Sequence, residues 1–116
     1  MTDHELLKLA AKAAGIEIHE SDDGTLQKRP IWAVMHFVCG QPYGESQWNP
    51  LNDDGEALRL AVKLKLKVYQ GDLVAIVHPR MAHAYIAEEY ERNGGHYAAT
   101  RRAIVHAAAE IGKAMP

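Results

Sequence analysis

Two segments of the chain combine apolar residues at helical spacing with signals for helix ends. In the first, Thr2 and Glu5 have capping-box spacing, leucines and alanines follow on one face, and Gly15 stands where a helix favours a left-handed glycine. In the second, Asp53 can cap a helix together with Glu56, and residues 57–64 continue the apolar pattern. Both segments are therefore predicted to be amphipathic helices.

A third helix is predicted at residues 97–115, a long Ala-rich segment that follows a glycine-containing loop at residues 91–95. Its apolar residues fall on one helical stripe that we expect to face the core: Tyr97, Ile104, Ala108, Ile111 and Met115.

Alternation of period two predicts two hairpins. In the first, residues 16–19 and 26–29 are extended around a turn at Asp22-Asp23-Gly24. In the second, residues 65–69 and 73–77 flank a turn at residues 70–72. Residues 82–90 fit a short strand or a helical turn, and the strand is favoured.

Residues 31–39 are apolar on both alternating faces, which indicates a strand covered on both sides; a buried helix is the alternative. Residues 40–50 are predicted to form a loop, because glycine, proline and asparagine recur there, and this loop carries Tyr43 and Trp48. The order of elements predicts a single α+β domain over residues 1–116, with a mixed or antiparallel sheet and helices packed on it.

Composition agrees with one folded domain. The chain has 116 residues, of which 47% are hydrophobic and 24% charged, so it lies far from the composition of disordered chains. The formal net charge of −2 gives the whole molecule no attraction to nucleic acid or to an anionic membrane. Any basic site must be local.

Cellular location is predicted from the cysteine content and the apolar runs. Cys39 is the only cysteine, which excludes an intrachain disulfide and fits a reducing compartment. The run at residues 31–39 is broken by His36 and has about half the ~20 residues of a membrane helix. The start of the chain is acidic and lacks the pattern of a signal peptide. We therefore expect a cytoplasmic protein without a membrane partner.

The seven histidines do not predict a metal site. If their segment is a strand, His36 and Cys39 lie on opposite faces and cannot bind one ion together. If it is a helix, they share a face, but two ligands are fewer than the three or four of a zinc site. His78 and His83 flank a proline, and they converge with His19 or His96 only in an arrangement that the sequence does not specify. We expect no metal and no cofactor.

No catalytic motif is found in the sequence. Cys39 has no local histidine to activate it, so a buried structural cysteine is the favoured interpretation. Nucleotide-binding glycine loops, zinc-protease motifs and nucleophile elbows are absent from the sequence. The acidic pairs at residues 22–23, 53–54 and 88–89 are typical of solvated turns and helix caps. We therefore expect a protein that is not an enzyme.

Basic residues suggest a local nucleic-acid-binding face as an alternative function. Residues 1–27 hold six acidic and two basic residues, so the acidity is concentrated at one end. Six cations elsewhere could gather on one face: Arg59, Lys63, Lys65, Lys67, Arg101 and Arg102. Arg59 and Lys63 are four residues apart on the second predicted helix. Lys65 and Lys67 are two residues apart on the strand predicted after it, and so share one of its faces. The same pattern is typical of a solvated surface and of a protected sheet edge.

Three stretches carry a resemblance to a known family: Trp48-Asn49-Pro50-Leu51 with the helix after it, residues 98–112, and residues 5–15. Together they resemble the phage α-β-α sandwich domain family, small phage and prophage proteins related in pattern to the NinX-like group. The resemblance implies a sheet sandwiched by helices, and it supplies no activity and no catalytic residues. Residues 78–96 match no part of the pattern.

The sequence thus predicts a small phage or prophage accessory protein that binds a protein partner or itself. The candidate binding residues are Tyr43, Trp48, Asn49 and Leu51, since exposed aromatic residues are frequent interface anchors. A structural alternative for the same run is a turn at Asn49-Pro50, with Trp48 and Leu51 as apolar anchors beside the helix start.

Overall fold

The computed structural model describes residues 2–20, 24–28, 37–38, 41–42, 46–79 and 85–116. Within these ranges the helices are α1 (Asp3–Ala14), α2 (Asp54–Lys63) and α3 (His96–Ala114). Its strands are β1 (Ile18–Glu20), β2 (Leu26–Lys28), β3 (Phe37–Val38), β4 (Gln41–Pro42), β5 (Ser46–Gln47), β6 (Lys67–Gln70), β7 (Val74–His78) and β8 (Ile86–Glu89). The α+β class is confirmed.

The first two helices begin where their capping residues predict. The Thr2 Oγ1 accepts a hydrogen bond from the Glu5 backbone N–H at 3.2 Å, and the Glu5 carboxylate accepts one from the Thr2 N–H at 3.2 Å. α1 ends at Gly15, whose φ of 67° is left-handed. For α2, the Asp53 Oδ1 accepts from the Glu56 N–H at 3.1 Å. Each cap satisfies backbone donors that the first helical turn leaves free.

The chain divides into two compact units, Ile16–Trp48 and Met1–Gly15 with Asn49–Pro116. In the unit Ile16–Trp48, β1, β2 and β5 form an antiparallel sheet, and β3 pairs with β4. The first predicted hairpin is confirmed as β1 and β2. The prediction of a loop throughout residues 40–50 is wrong at β4, which pairs with β3, and at β5, which pairs with β2. The Trp48 N–H donates to the Leu26 carbonyl at 2.8 Å and so extends the pairing of β5 with β2.

Several predictions for this unit lie outside the described residues. They concern the turn at residues 21–23, the apolar segment at residues 31–36, Cys39 and Tyr43. The single domain predicted for residues 1–116 stays a prediction.

In the unit Met1–Gly15 with Asn49–Pro116, an antiparallel sheet has the strand order β6-β7-β8. The second predicted hairpin is confirmed as β6 and β7, and the strand favoured within residues 82–90 is confirmed at β8. α3 packs on this sheet, while α1 and α2 contact mainly α3. Ala75 and Val77, on one face of β7, are fully buried.

The face of α3 that is buried differs from the predicted stripe. Ile104 and Ala108 are buried as expected, whereas Tyr97 is 75% exposed and Met115 lies beyond the last helical residue and is 40% exposed. Small residues of α3 instead fill the space toward α1 and the sheet: Ala99, Ala103, Val105, Ala107, Ala109 and Gly112. Because elements pack on more than one side of α3, no single stripe describes its core face.

At Gly112 the backbone of α3 lies very close to the backbone of α1. A Cβ placed on this residue would overlap the backbone carbonyl of Leu9. The glycine therefore lets the two helix backbones come closer than any side chain would allow.

Candidate binding groove

A groove of about 690 Å³ lies between α2, β6 and α3. All three elements belong to the unit Met1–Gly15 with Asn49–Pro116. We call it the α2–β6–α3 groove. Its apolar lining comes from all three elements: Ala57, Leu58, Ala61, Val68, Tyr97 and Ile104. Its polar lining consists of Asp54, Gln70, His96, Thr100 and Arg101.

Three large apolar side chains of the groove are exposed. Leu58 is 64% exposed, Val68 38% and Tyr97 75%. They come from α2, β6 and α3 respectively, so the three elements each contribute one exposed residue to the same surface depression. Exposed apolar side chains gathered around a concavity are typical of binding sites.

A hydrogen-bond network fixes Gln70 on the wall of the groove. Its Nε2 donates to the Thr100 Oγ1 at 2.8 Å, and the Thr100 hydroxyl donates to the His96 carbonyl at 2.7 Å. The Tyr90 hydroxyl lies 3.0 Å from the Gln70 Oε1 and 2.8 Å from the Gly71 carbonyl, and the Tyr90 ring stacks on His96 at 4.0 Å. This network ties the end of β6 to the first turn of α3.

Arg101 fixes the opposite wall. Its Nη1 donates to the Asp54 Oδ1 at 2.6 Å, and its Nε donates to the Leu51 carbonyl at 2.7 Å. Arg101 is thereby tied both to the first turn of α2 and to the segment before it. The groove is bounded by elements that hydrogen bonds hold in place.

The predicted protein-binding residues form a turn rather than an exposed patch. Trp48 is 1% exposed, which corrects the expectation of an exposed tryptophan. The Asn49 Oδ1 accepts from the Leu51 N–H at 3.1 Å, and the Asn49 carbonyl accepts from the N–H groups of Asn52 and Asp53. Leu51 is half-buried, and Tyr43 lies outside the described residues.

The six predicted basic residues do not form one free basic face. Arg101 is engaged with Asp54, Arg102 contacts Asp3 at 2.9 Å, and Arg59 lies 3.7 Å from Glu56. The prediction that Lys65 shares a strand face with Lys67 is wrong, because Lys65 lies in the turn before β6 with a φ of 55°.

The three lysines of the set are the cations that remain unpaired. Lys63, Lys65 and Lys67 are exposed, and none of them forms an ion pair with a residue that the structure describes. They follow one another at the end of α2, in the connecting turn and at the start of β6. Within the described part of the chain, three exposed lysines without an ion-pair partner thus follow one another where α2 leads into β6.

The histidines do not assemble a metal site within the described part of the chain. His78 ends β7 and His96 begins α3, whereas His36 and His83 lie outside the described residues. A histidine that the sequence did not single out, His106, has its Nδ1 3.3 Å from Glu88 and its Nε2 3.8 Å from Glu110.

The sequence holds a signal for an exposed apolar surface on α2, which contributes Leu58 to the groove, and the interpretation of α2 missed it. Leu58 and Val62 are four residues apart and form a second apolar stripe, beside the buried stripe of Ala57, Leu60 and Ala61. Leu58 and Val62 are 64% and 69% exposed. When apolar residues of a helix extend beyond the face that packs on the core, the additional residues indicate a second contact surface.

No protein-family model, curated protein or solved structure matches the chain. Among the described residues, no helix combines the length and apolar character that a bilayer crossing requires.

Proposed function

We propose that this chain is a small phage or prophage accessory protein that acts without catalysis, as a module that binds a protein partner or itself. Its binding surface is the α2–β6–α3 groove rather than the turn at residues 48–51. The observation that carries the proposal is the exposure of Leu58, Val68 and Tyr97 around one depression. The phage origin and the cytoplasmic location rest on the resemblance of the sequence and on its composition.

The geometry of the groove supports binding rather than chemistry. Its polar side chains Gln70, Thr100 and Arg101 hold α2, β6 and α3 together through hydrogen bonds of 2.6 to 2.8 Å. These contacts fix the walls before any partner arrives, so that little ordering is required on binding. Burial of the exposed apolar side chains then supplies the favourable free energy.

Photo-crosslinking in the host cell tests the proposal. Tyr97 is replaced by a photoreactive phenylalanine analogue, and Tyr69 serves as the matched control, because it is also an exposed tyrosine but lies on the other face of β6. We expect a discrete adduct at position 97, either with one other protein or with a second copy, and none at position 69. Equal labelling at both positions, or labelling at neither, would contradict the proposal.

The alternative function is association with nucleic acid through a local basic face. Lys63, Lys65 and Lys67 support it, since they are exposed and close in sequence. Arg101 and Arg102 speak against it, because both are held by aspartates of other helices. The salt dependence of DNA binding distinguishes the two functions, as argued below.

A further inference from the structure

β6 is an edge strand of its sheet, and β7 is its one strand neighbour among the described residues. The Gly71 N–H donates to the Val74 carbonyl at 2.9 Å, which makes these two residues a hydrogen-bonded pair of the antiparallel ladder. Hydrogen-bonded and non-hydrogen-bonded pairs alternate along such a ladder. The backbone N–H and C=O groups of Val68 and Gln70 therefore point away from β7, toward the side of β6 on which the described part of the chain places no strand.

The same two residues place their side chains in the groove. Val68 and Gln70 both line it, together with Leu58 and Ala61 of α2. A strand that paired with the free backbone groups of β6 would run beside these two residues, and every second side chain of that strand would point to the groove face of the sheet. The hydrogen bonds of Gln70 to Thr100 and Tyr90 hold this edge in position.

The charge beside the edge is positive. Lys67 is the first residue of β6, and Lys65 and Lys63 precede it, all exposed and unpaired within the described part of the chain. Lysines at a sheet edge oppose pairing with a neutral or basic strand and attract an acidic one. A second copy of this chain would bring the same three lysines to the edge, so self-pairing is the less favourable arrangement.

We infer that the α2–β6–α3 groove takes an extended segment of a partner protein, which adds as a strand to β6 and carries acidic residues beside Lys65 and Lys67. This inference rests on the proposed function and specifies the class of partner. Main-chain hydrogen bonds to Val68 and Gln70 supply affinity that is independent of sequence, whereas the groove and the lysines select apolar and acidic side chains.

Two synthetic octapeptides with blocked ends serve as probes. Both contain three Thr-Val repeats, with a glutamate at each end of one peptide and a lysine at each end of the other. We expect calorimetry to show that the glutamate peptide binds roughly tenfold more tightly. Lys65 and Lys67 attract its terminal glutamates, whereas they repel the terminal lysines of the other peptide. On binding, amide hydrogen exchange should slow at Val68 and Gln70, with little change at Tyr69, whose N–H already bonds to β7.

Two variants make the test specific. The change Val68→Pro removes one outward donor without removing a ladder hydrogen bond, and it should abolish binding. The double change Lys65→Glu with Lys67→Glu affects exposed side chains that form no ion pair with any described residue, and it should reverse the preference, so that the lysine peptide binds more tightly. The change Tyr69→Thr, on the other face of the strand, is the control and should leave both affinities unchanged.

Each other outcome overturns the inference in a distinguishable way. Equal affinity for the two peptides shows that the lysines do not select an acidic segment, and binding without slower exchange at Val68 and Gln70 shows that the edge does not pair with the segment. Protection of these amides that grows with protein concentration in the absence of peptide assigns the edge to a second copy and retains the proposed function. Absence of peptide binding together with a discrete adduct at position 97 also retains the proposed function, whereas absence of both removes it.

Discussion

Arg101 and Arg102, consecutive residues of α3, each bind the first residue of a different helix. Arg101 contacts Asp54 of α2 at 2.6 Å, and Arg102 contacts Asp3 of α1 at 2.9 Å. Neighbouring residues of a helix point about 100° apart, so adjacent side chains can reach elements on two sides. The two arginines that the sequence suggested as part of a basic face therefore act as links within the fold.

The first prediction concerns Arg101. Its side chain is 19% exposed, and it donates both to Asp54 and to the Leu51 carbonyl. Replacing Arg101 with Gln should lower the free energy of unfolding by about 1–2 kcal/mol, because the charged hydrogen bond from this partly buried donor to the Leu51 carbonyl is lost. The ion pair adds little, since the Asp54 carboxylate is exposed. Urea denaturation measures the change.

Arg59 provides the matched control for this prediction. It is 64% exposed and 3.7 Å from Glu56, so the change Arg59→Gln should cost less than about 0.5 kcal/mol. If both substitutions cost the same, Arg101 does not act as the link described above.

The second prediction concerns the contact of α1 with α3. Replacing Gly112 with Ala forces a methyl group into the Leu9 carbonyl, so the helices must separate, and we expect a loss of about 2 kcal/mol or more. The gain in helix propensity, about 1 kcal/mol, does not offset this. Thermal or urea unfolding measures the difference.

Gly55 in α2 is the matched control. Its Cβ would meet the end of the Arg59 side chain at 2.9 Å, which can move away, and the Asp53 Oδ1 at 3.2 Å, which must give by only a few tenths of an ångström. The change Gly55→Ala should therefore be close to neutral. A Gly112→Ala variant as stable as the wild type would show that the two backbones are not in close contact.

The sequence predicted the elements whose signals are local. The caps at Thr2 and Asp53 and the left-handed Gly15 lie within a few residues of the helix ends that they define, and all three are confirmed. The hairpin of β6 and β7 is likewise set by alternation around a short turn. Such signals require no knowledge of distant partners.

The features that the sequence did not predict depend on partners far along the chain. The buried face of α3 is set by α1 and the sheet, and an Ala-rich helix carries too little contrast in side-chain size to show which face is covered. The role of Arg101 depends on Asp54, which is 47 residues away. A sequence shows which residues are charged, but it does not show which of them form ion pairs with each other in the fold.

The third prediction concerns the start of α2. Replacing Asp53 with Ala removes the acceptor for the Glu56 N–H at 3.1 Å and should cost about 0.5–2 kcal/mol, the usual loss at a helix N-cap. Asp53→Ser retains an acceptor and should recover most of the loss. Unchanged stability of Asp53→Ala would mean that another residue, such as Asn52, caps the helix instead.

The last prediction distinguishes the protein-binding function from the nucleic-acid alternative. A protein that binds DNA through phosphates loses affinity with salt, with a logarithmic slope of about 0.9 per neutralised phosphate. If Lys63, Lys65 and Lys67 each neutralise one phosphate, the slope should be near 2.7, which is a loss of roughly 40-fold between 50 and 200 mM salt. Our proposed function instead expects no measurable binding at physiological salt.

Fluorescence anisotropy with labelled duplex and single-stranded DNA at two salt concentrations measures this. The overall charge of −2 opposes association, and Arg101 and Arg102 are engaged with aspartates of the fold. Reversal of Lys63, Lys65 and Lys67 to Glu tests whether any binding uses this cluster, and it leaves the ion pairs of α3 intact. Micromolar binding that weakens with salt and disappears on this reversal would favour the nucleic-acid function over the protein-binding one.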